Sequence, residues 1–194
     1  MRKIILDLCG GSGAWSKPYK DANYDVRNIT LPDYDVNIYE PPKGVYGILA
    51  APPCQMFSFA RMKAKKPRDL KNGMKTVISC LKIIWECQYQ IERKYTKKTS
   101  LKFWALENPN GFLKYFLGKP AFIFDPWNFE DMYKKKTYLW GYFNNPKKIW
   151  FIKPDCPKFR DLKSIYYDTK IWNRKEARSM TPQGFAKAFF EANR

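Results

Sequence analysis

The chain has 194 residues, of which 45% are hydrophobic and 18% aromatic, a length and composition that suit one folded domain and exclude a disordered polymer. It has 36 basic residues, 18 acidic residues and no histidine, so its net charge is +18, and any catalytic unit or metal site that requires imidazole is excluded. No apolar run is long enough to cross a membrane, and the first one reaches Asp7 too early for a signal peptide, so we expect a cytoplasmic protein.

The excess positive charge lies outside the N-terminal third of the chain. Residues 1–60 carry six basic and six acidic residues, whereas residues 61–130 and residues 131–194 each carry fifteen basic and six acidic ones. Basic clusters at 61–68 and 134–136, interleaved with aromatic residues, favour a polyanionic partner, with nucleic acid first and an anionic membrane surface second. The alternative is a charged surface that serves only solubility.

In chain order, the pattern predicts alternating strands and helices. The first strand, 3–8, runs into a glycine-rich turn, which is how a nucleotide-binding α/β unit begins. Further strands are predicted at 24–29, 45–51, 103–106, 121–124 and 137–143, and helical periodicity at 72–95 and at 174–193, with a break at Thr181-Pro182. The sequence therefore predicts one doubly wound, Rossmann-like α/β domain over residues 1–194.

The glycine-rich turn, Asp7-Leu-Cys-Gly-Gly-Ser-Gly13, is the first candidate site. Glycines let the backbone approach a ligand and present amide donors beside a helix N-terminus. The spacing is not that of the full dinucleotide fingerprint, and by itself it also fits a tight structural turn. A turn of this kind after Asp-Leu suits S-adenosyl-L-methionine.

Cys54 follows the strand predicted at 45–51, after a turn that two prolines impose. Open α/β sheets bind ligands at the carboxyl ends of their strands, so this thiol is a candidate nucleophile. The basic loop at 61–68 favours that interpretation, because cationic neighbours lower a thiol pKa. The alternative is a buried, inert cysteine. The five cysteines are odd in number and show no Cys-x-x-Cys spacing, which argues against a disulfide framework.

Glu107 follows the strand predicted at 103–106. In a parallel sheet, neighbouring strands end at the same edge, so Glu107 and Cys54 are expected to face one pocket although 53 positions separate them. A carboxyl group after an apolar run on an otherwise basic surface favours a functional role. The alternatives are a helix N-cap and a salt bridge.

These three motifs, in this order, resemble the DNA cytosine-5 methyltransferase family. Residues 7–13 look like its first cofactor motif, and Pro53-Cys54-Gln55-Met56-Phe57-Ser58 matches its catalytic Pro-Cys-Gln-x-Phe-Ser motif position for position. Glu107-Asn108-Pro109 resembles the family's Glu-Asn-Val motif. Residues 134–137 fall where the family has a basic motif, and residues 180–185 lie where its last motif packs back on the cofactor.

The resemblance implies methyl transfer from S-adenosyl-L-methionine to C5 of a cytosine that is flipped out of DNA. The Cys54 thiolate would add to C6, and Glu107 would hydrogen-bond the N3 and amino edge of the base. Gln55 belongs to the same catalytic motif. The chemistry requires neither histidine nor a metal, in agreement with the absence of histidine.

Carried over residue by residue, the resemblance also implies two binding sets. The cofactor would be bound by Asp7, Cys9, Gly10, Gly11, Ser12, Gly13, Asn28, Asp35, Val36 and Pro52. DNA would be contacted by Ser58, Arg61, Lys63, Lys65, Lys66, Lys135 and Lys136, the first five within a mobile loop over 57–68.

The chain departs from the family pattern at three places. Cys9 replaces an aromatic residue, and Asn28 or Thr30 stands where an acid that binds the cofactor ribose is expected. Only residues 147–175 are available for target recognition, before a C-terminal helix at 176–194 that would pack back on the cofactor domain. This small segment is basic and aromatic and includes Trp150, Phe151, Tyr166, Tyr167 and Trp172.

The small size of the segment available for target recognition leaves several functional interpretations open. Methyltransferases of this shape look like those of bacteriophages, which would place the protein in a bacterial host's cytoplasm. Its sequence specificity would be short, relaxed or supplied by a protein partner. One alternative substrate is RNA or a free cytosine nucleotide. Another alternative, motivated by Cys9 and the missing acid, is a catalytically weak DNA-binding protein on a methyltransferase scaffold.

Overall fold

The computed structural model describes residues 2–89, 100–158 and 179–194. Its strands are β1 (Ile4–Leu8), β2 (Asp25–Ile29), β3 (Val45–Ala50), β4 (Phe103–Pro109), β5 (Phe122–Phe124) and β6 (Thr137–Tyr142). Its helices are α1 (Lys17–Asp21), α2 (Leu70–Tyr89), α3 (Lys114–Leu117) and α4 (Gln183–Ala192), with short 3-10 turns at Phe59–Arg61 and Pro126–Phe129.

The strands form one six-stranded sheet in the order β2-β1-β3-β4-β6-β5. Strands β1 to β4 pair in parallel, whereas β6 runs antiparallel to both β4 and β5. The predicted α/β class is confirmed, and the arrangement is compatible with a Rossmann-like fold without being specific to it. The sheet is mixed rather than wholly parallel because β5 and β6 are joined by only residues 125–136, which hold no α-helix to make a parallel crossover.

Alternating residues of the strands face two hydrophobic layers. On one face, Leu6 and Ile48 pack with Val77 and Ile84 of α2. On the other face, Ile5 and its neighbours pack with aromatic residues of α1 and α4, including Tyr19, Phe185 and Phe189. Helices therefore cover both sides of the sheet, and polar residues that could act on a ligand are left to its edges.

Two predicted boundaries lie two or more residues from the observed ones. Strand β4 continues through Glu107 to Pro109, because β6 pairs with it up to the Pro109–Thr137 position. Helix α2 begins two residues before the predicted start at 72. The predicted break at Thr181-Pro182 is confirmed: helix α4 begins after Pro182, whose fixed φ and missing N–H suit a helix start and not its interior. Residues 90–95 and 174–178 of the predicted helices lie outside the described residues.

The segment predicted for target recognition is described only in part. Residues 147–158 form no helix or strand, and the rest of the segment, including Tyr166, Tyr167 and Trp172, lies outside the described residues. Within the described ranges, no helix combines the length and apolar character needed to cross a membrane.

Candidate functional site

The carboxyl edge of the sheet collects the predicted site residues. The register aligns Leu8 of β1 with Ala50 of β3, and Ala50 with Leu106 of β4, so these strands end side by side. Strand β6 begins at this edge because it runs antiparallel to β4. The glycine turn, Cys54, Glu107 and the lysines before β6 are therefore brought to one side of the molecule, as the sequence predicts for parallel strand ends.

The turn after β1 has an unusual backbone. Cys9, Gly11 and Gly13 all have positive φ angles, of 58°, 54° and 71°. Two backbone hydrogen bonds hold its ends, from Cys9 N to Ile29 O at 2.8 Å and from Gly13 N to Gly10 O at 2.9 Å. A Cβ on Gly10 would collide with the Asp7 carboxyl group, whereas one on Gly11 would meet nothing within 4 Å. The turn thus leaves open space on the side of Gly11.

Asp7 lies at the base of this turn and is fully buried. Its Oδ2 accepts a hydrogen bond of 2.5 Å from the Ser16 hydroxyl, while its Oδ1 has no hydrogen-bond partner among the described residues. Burial raises the pKa of the Asp7 carboxyl to about 6, and the Ser16 hydrogen bond only partly opposes that effect. A buried acceptor atom without a partner in the described part of the chain therefore lies beneath the turn.

The remaining predicted cofactor residues lie close to the turn or in the loop after β2. Asn28, near the end of β2, donates from Nδ2 to Gly11 O at 2.9 Å, and its Oδ1 is without a partner within the described part of the chain. Asp35 accepts hydrogen bonds from Asn37. Val36 is buried and lines, together with residues of α2, a groove of about 600 Å³.

Cys54 lies in the loop that leaves β3, half-buried and outside any disulfide. Its carbonyl oxygen accepts hydrogen bonds from Phe57 N at 2.9 Å and Ser58 N at 2.8 Å, which fold the loop into a tight turn. Just before it, the carbonyl of buried Pro52 accepts a hydrogen bond of 3.0 Å from Asn108 Nδ2 of β4. The thiol-bearing loop is thus tied to the strand that carries Glu107.

A second set of contacts clamps this loop to the chain after β4. Phe112 N donates to Phe57 O at 2.8 Å, and Ser58 pairs with Gly111 across an isolated bridge. Gly111 has no room for a side chain, because a Cβ there would collide with the Phe57 carbonyl. Sequence analysis overlooked Gly111, since a lone glycine after a strand resembles an ordinary turn residue.

Arg68 is the second residue of this site that the sequence pattern does not single out. Its guanidinium donates to Met56 O at 2.8 Å and to Ser58 O at 3.0 Å, and its Cζ lies 4.8 Å from the centre of the Phe112 ring. It therefore braces the Cys54 loop from outside. Its position at the end of a run of basic residues made it resemble one more solvated charge.

Glu107 is half-buried in β4, opposite Leu139 of β6. Burial raises the pKa of its carboxyl group, and the nearby Lys135 opposes the rise. A carboxyl group with a raised pKa keeps its proton at a higher pH than an ordinary glutamate, so it can donate as well as accept hydrogen bonds. The charge of Lys136 acts on the pKa of Asp125 instead, so of the two predicted lysines Lys135 is the one whose charge acts on Glu107.

The predicted DNA-contacting residues after Cys54 fall into two groups. Ser58 Oγ accepts from Ala60 N at 3.2 Å, and Arg61 donates to the carbonyls of Lys66 and Pro67 at 3.1 and 3.2 Å, so both serve the local loop structure. The side chains of Lys63, Lys65 and Lys66 are exposed.

Two other segments of the chain combine exposed aromatic side chains with lysines. Tyr115 and Phe116 of α3 are 69% and 49% exposed, and Lys114 lies 5.1 Å from the centre of the Tyr115 ring. Farther along, Phe151 and Ile152 are 77% and 85% exposed between lysine residues. Proteins that bind single-stranded nucleic acid stack bases on such aromatic rings and contact the phosphate backbone with the neighbouring cations.

Among the described residues, no group of three or more acidic or cysteine side chains is arranged to hold a metal ion. No protein-family model and no curated protein matches this chain.

Proposed function

We propose that this protein transfers a methyl group from S-adenosyl-L-methionine to C5 of cytosine in DNA. The observation that carries the proposal is that Cys54 and Glu107 stand at the carboxyl ends of two adjacent parallel strands, and that the hydrogen bond from Asn108 to Pro52 O ties these two segments together. Attack at C6 of the base requires a nucleophile, and recognition of its N3 side requires a carboxyl group close by. Both groups stand at the same edge of the sheet.

Cys54 would begin the reaction by covalent addition. Its sulfur attacks C6 of the flipped cytosine, and the electron pair of the C5–C6 bond is displaced toward N3. Glu107 donates a proton to N3 and accepts a hydrogen bond from the 4-amino group. The raised pKa of Glu107 supports the proton-donating role, because the carboxyl must be protonated to donate.

The adduct makes C5 nucleophilic. After C5 has gained the methyl group, N3 returns its proton to Glu107 and the C5 proton leaves to water. The C6–S bond then breaks, and the Cys54 thiolate and the aromatic ring are restored. Lys135, beside Glu107, helps to hold the electron-rich ring through its positive charge.

The glycine turn fits the cofactor that this reaction needs, which supplies an electrophilic methyl group when bound. Gly11 leaves open space. Asp7 Oδ1 and Asn28 Oδ1 are buried and have no partner among the described residues, and they would accept hydrogen bonds from an ammonium group and a ribose hydroxyl if the turn opens to admit them. Asn28 replaces the expected acid but keeps one acceptor, while its amide nitrogen holds the turn through Gly11 O.

The experiment is methyl transfer to DNA by wild type, Cys54→Ala and Cys87→Ala. Cys87 is a buried cysteine of α2 and serves as the matched control. We expect Cys54→Ala to abolish incorporation and Cys87→Ala to retain it. Equal incorporation by wild type and Cys54→Ala would overturn the covalent mechanism.

A cytosine analogue that cannot lose its C5 substituent as a proton tests the adduct directly. DNA that contains 5-fluorocytosine should leave the protein covalently bound after denaturation, and the bond should map to Cys54. A complex that dissociates fully in denaturant contradicts the mechanism.

The exposed rings of Tyr115, Phe116 and Phe151 favour an unpaired nucleic acid strand as the substrate in place of duplex DNA. Competition among single-stranded DNA, duplex DNA, RNA and free cytidine nucleotides separates this alternative from duplex methylation. Failure of the protein to bind S-adenosyl-L-methionine in calorimetry, with DNA present or absent, would instead favour a non-catalytic DNA-binding protein.

A further inference from the structure

Three aromatic rings and a lysine form a contiguous cluster beside the Cys54 loop. The centres of the Phe59 and Phe112 rings are 5.1 Å apart, and those of the Phe112 and Tyr115 rings are 6.0 Å apart. The Nζ of Lys114 lies 5.9 Å from the centre of the Phe59 ring and 5.1 Å from that of the Tyr115 ring. We call these four residues the ring cluster.

Hydrogen bonds fix the ring cluster to the loop that carries the thiol. Phe112 N donates to Phe57 O at 2.8 Å, and Phe57 N donates in turn to Cys54 O at 2.9 Å. The Arg68 guanidinium, which donates to two carbonyls of the same loop, lies over the Phe112 ring with its Cζ 4.8 Å from the ring centre. A group bound on the rings is therefore held at a fixed place relative to the Cys54 backbone.

The ring cluster offers an exposed aromatic ring in a strongly basic setting. Tyr115 is 69% exposed, whereas the other three members are half-buried. The two segments that supply the cluster, 54–68 and 108–124, contain seven basic residues and no acidic one. The charge favours an anionic partner, and the open ring favours one with flat, unpaired bases, which an anionic lipid headgroup or an acidic peptide does not supply.

We propose that the ring cluster stacks a base of an unpaired DNA strand next to the cytosine that reaches Cys54, and that the protein thereby selects unpaired DNA over duplex DNA. This inference rests on the proposed function, whose substrate it names. In an unpaired strand a base can lay one face on the Tyr115 ring, and such stacking tolerates any base. In a duplex the neighbouring base pairs cover both faces of each base, so the same contact requires the duplex to unstack. Lys114 supplies a positive charge beside the ring for the phosphate of the stacked nucleotide.

The first test measures binding and does not depend on methyl transfer. Fluorescence anisotropy follows a labelled DNA strand that lacks cytosine, alone and in a duplex, with no S-adenosyl-L-methionine present. We expect wild type to bind the unpaired strand about tenfold more tightly than the duplex. Tyr115→Ala should lose about tenfold in affinity for the unpaired strand and little for the duplex, and Tyr115→Phe, which keeps the ring, should bind as wild type does.

Tyr142 supplies the matched control. It is 75% exposed and pairs with Trp104 at the start of β4, so it lies at the opposite edge of the sheet from the ring cluster. Tyr142→Ala should leave both affinities unchanged. Equal binding of unpaired and duplex DNA by wild type, no loss in Tyr115→Ala, or an equal loss in Tyr142→Ala overturns the inference. An RNA strand of the same sequence is the third probe, and tighter binding of this RNA than of the DNA strand overturns DNA as the occupant.

The second test separates this inference from the proposed function. Methyl transfer is measured on a cytosine-containing DNA strand, unpaired and in a duplex. Wild type should prefer the unpaired strand, and Tyr115→Ala should raise KM for that strand with little change in kcat. Transfer to the duplex as efficient as transfer to the unpaired strand, and unchanged in Tyr115→Ala, overturns the role of the ring cluster and leaves the proposed function standing. No transfer to either probe, with the expected binding in the first test, overturns the proposed function and leaves the ring cluster as a binding site for unpaired DNA.

Discussion

The glycine turn after β1 and the Cys54 loop after β3 lie at the same edge of the sheet, and their backbones are held in different ways. The turn is held by its own backbone, with positive φ angles at Cys9, Gly11 and Gly13, and by the neighbouring strand β2 through the Asn28 amide. The loop is held from outside, by Asn108, by the Phe112 amide and by Arg68. The turn keeps open space for a ligand, whereas the loop fixes the position of one sulfur atom.

Charge separates the two regions as well. The N-terminal third, which contains the turn, is electrically neutral, and its Asp7 is buried. The chain beyond the Cys54 loop carries the excess of basic residues. If the proposed function is correct, this division keeps the field that attracts phosphates away from the cofactor site.

The largest effect is expected from a side chain at the clamp of the Cys54 loop. Gly111→Ala forces a Cβ against the Phe57 carbonyl, which cannot move without breaking the bridge, and we expect a loss of about 3 kcal/mol in the free energy of unfolding. Gly11→Ala meets no atom and is strained only through φ, with a loss of about 1 kcal/mol. Urea unfolding measures both variants, and equal losses would contradict the distinction between the two regions.

The second-largest effect on stability is expected from the removal of the Arg68 side chain, which braces the Cys54 loop. Arg68→Ala deletes two hydrogen bonds from a charged donor to the loop carbonyls, and we expect it to cost about 2 kcal/mol of unfolding free energy and to slow methyl transfer. Arg68→Lys should restore only part of the loss, because an ammonium cannot reproduce the fork that reaches both carbonyls. Lys71→Ala, at a nearby exposed lysine, is the control and should change stability by less than about 0.5 kcal/mol. An Arg68→Ala protein as stable as Lys71→Ala would show that Arg68 is a solvated charge.

Asp7 should give the turn a pH dependence of its own. The pKa of Asp7 in the folded state, about 6, lies above the ordinary value of 3.8. Between these two pH values the native state therefore keeps a proton that the unfolded chain has lost. Its contribution to stability is therefore greatest below the ordinary pKa and is lost as the pH rises through about 6. Relative to Asp7→Asn, wild type should lose about 2 kcal/mol of unfolding free energy between about pH 4.5 and about pH 7.5. Parallel stability profiles of the two proteins across this range would contradict it.

The smallest effect is expected from the exposed charges of the basic loop. Joint replacement of Lys63, Lys65 and Lys66 by alanine should weaken DNA binding about tenfold and reduce its salt dependence, because fewer counterions are released. The matched control replaces Lys17, Lys20 and Lys43, which are exposed in the neutral third of the chain. Fluorescence anisotropy over a range of salt concentrations measures both, and an equal weakening in the control would contradict a localised DNA surface.

Much of the edge could be predicted from local pattern. The order of strands β1 to β4 along the chain and the turn at residues 9–13 follow from apolar runs that end in glycine or proline, since these residues interrupt a strand wherever they stand. The placement of Cys54 and Glu107 on one edge follows from the parallel pairing of their strands. The roles of these residues in catalysis and cofactor binding stay predictions.

Other features depended on partners that are distant in the chain. The extension of β4 to Pro109 results from its pairing with β6, and the start of α4 is reinforced by Asp131, whose Oδ2 accepts from Gly184 N at 2.9 Å. The difference between Lys135 and Lys136 likewise arises from the neighbours that each strand end presents. A local pattern carries no information about a contact that forms only when β6 packs beside β4.

The sequence by itself determined the α/β class, the division of charge and the residue types of the candidate chemistry, because hydrophobic period, composition and turn residues are properties of short segments. Only the tertiary structure decided that the Cys54 loop is clamped by Gly111 and Arg68, and that the charge of Lys135, and not that of Lys136, acts on the pKa of Glu107. Each of these depends on close packing between segments far apart in the chain, where hydrogen bonds and excluded volume select one arrangement.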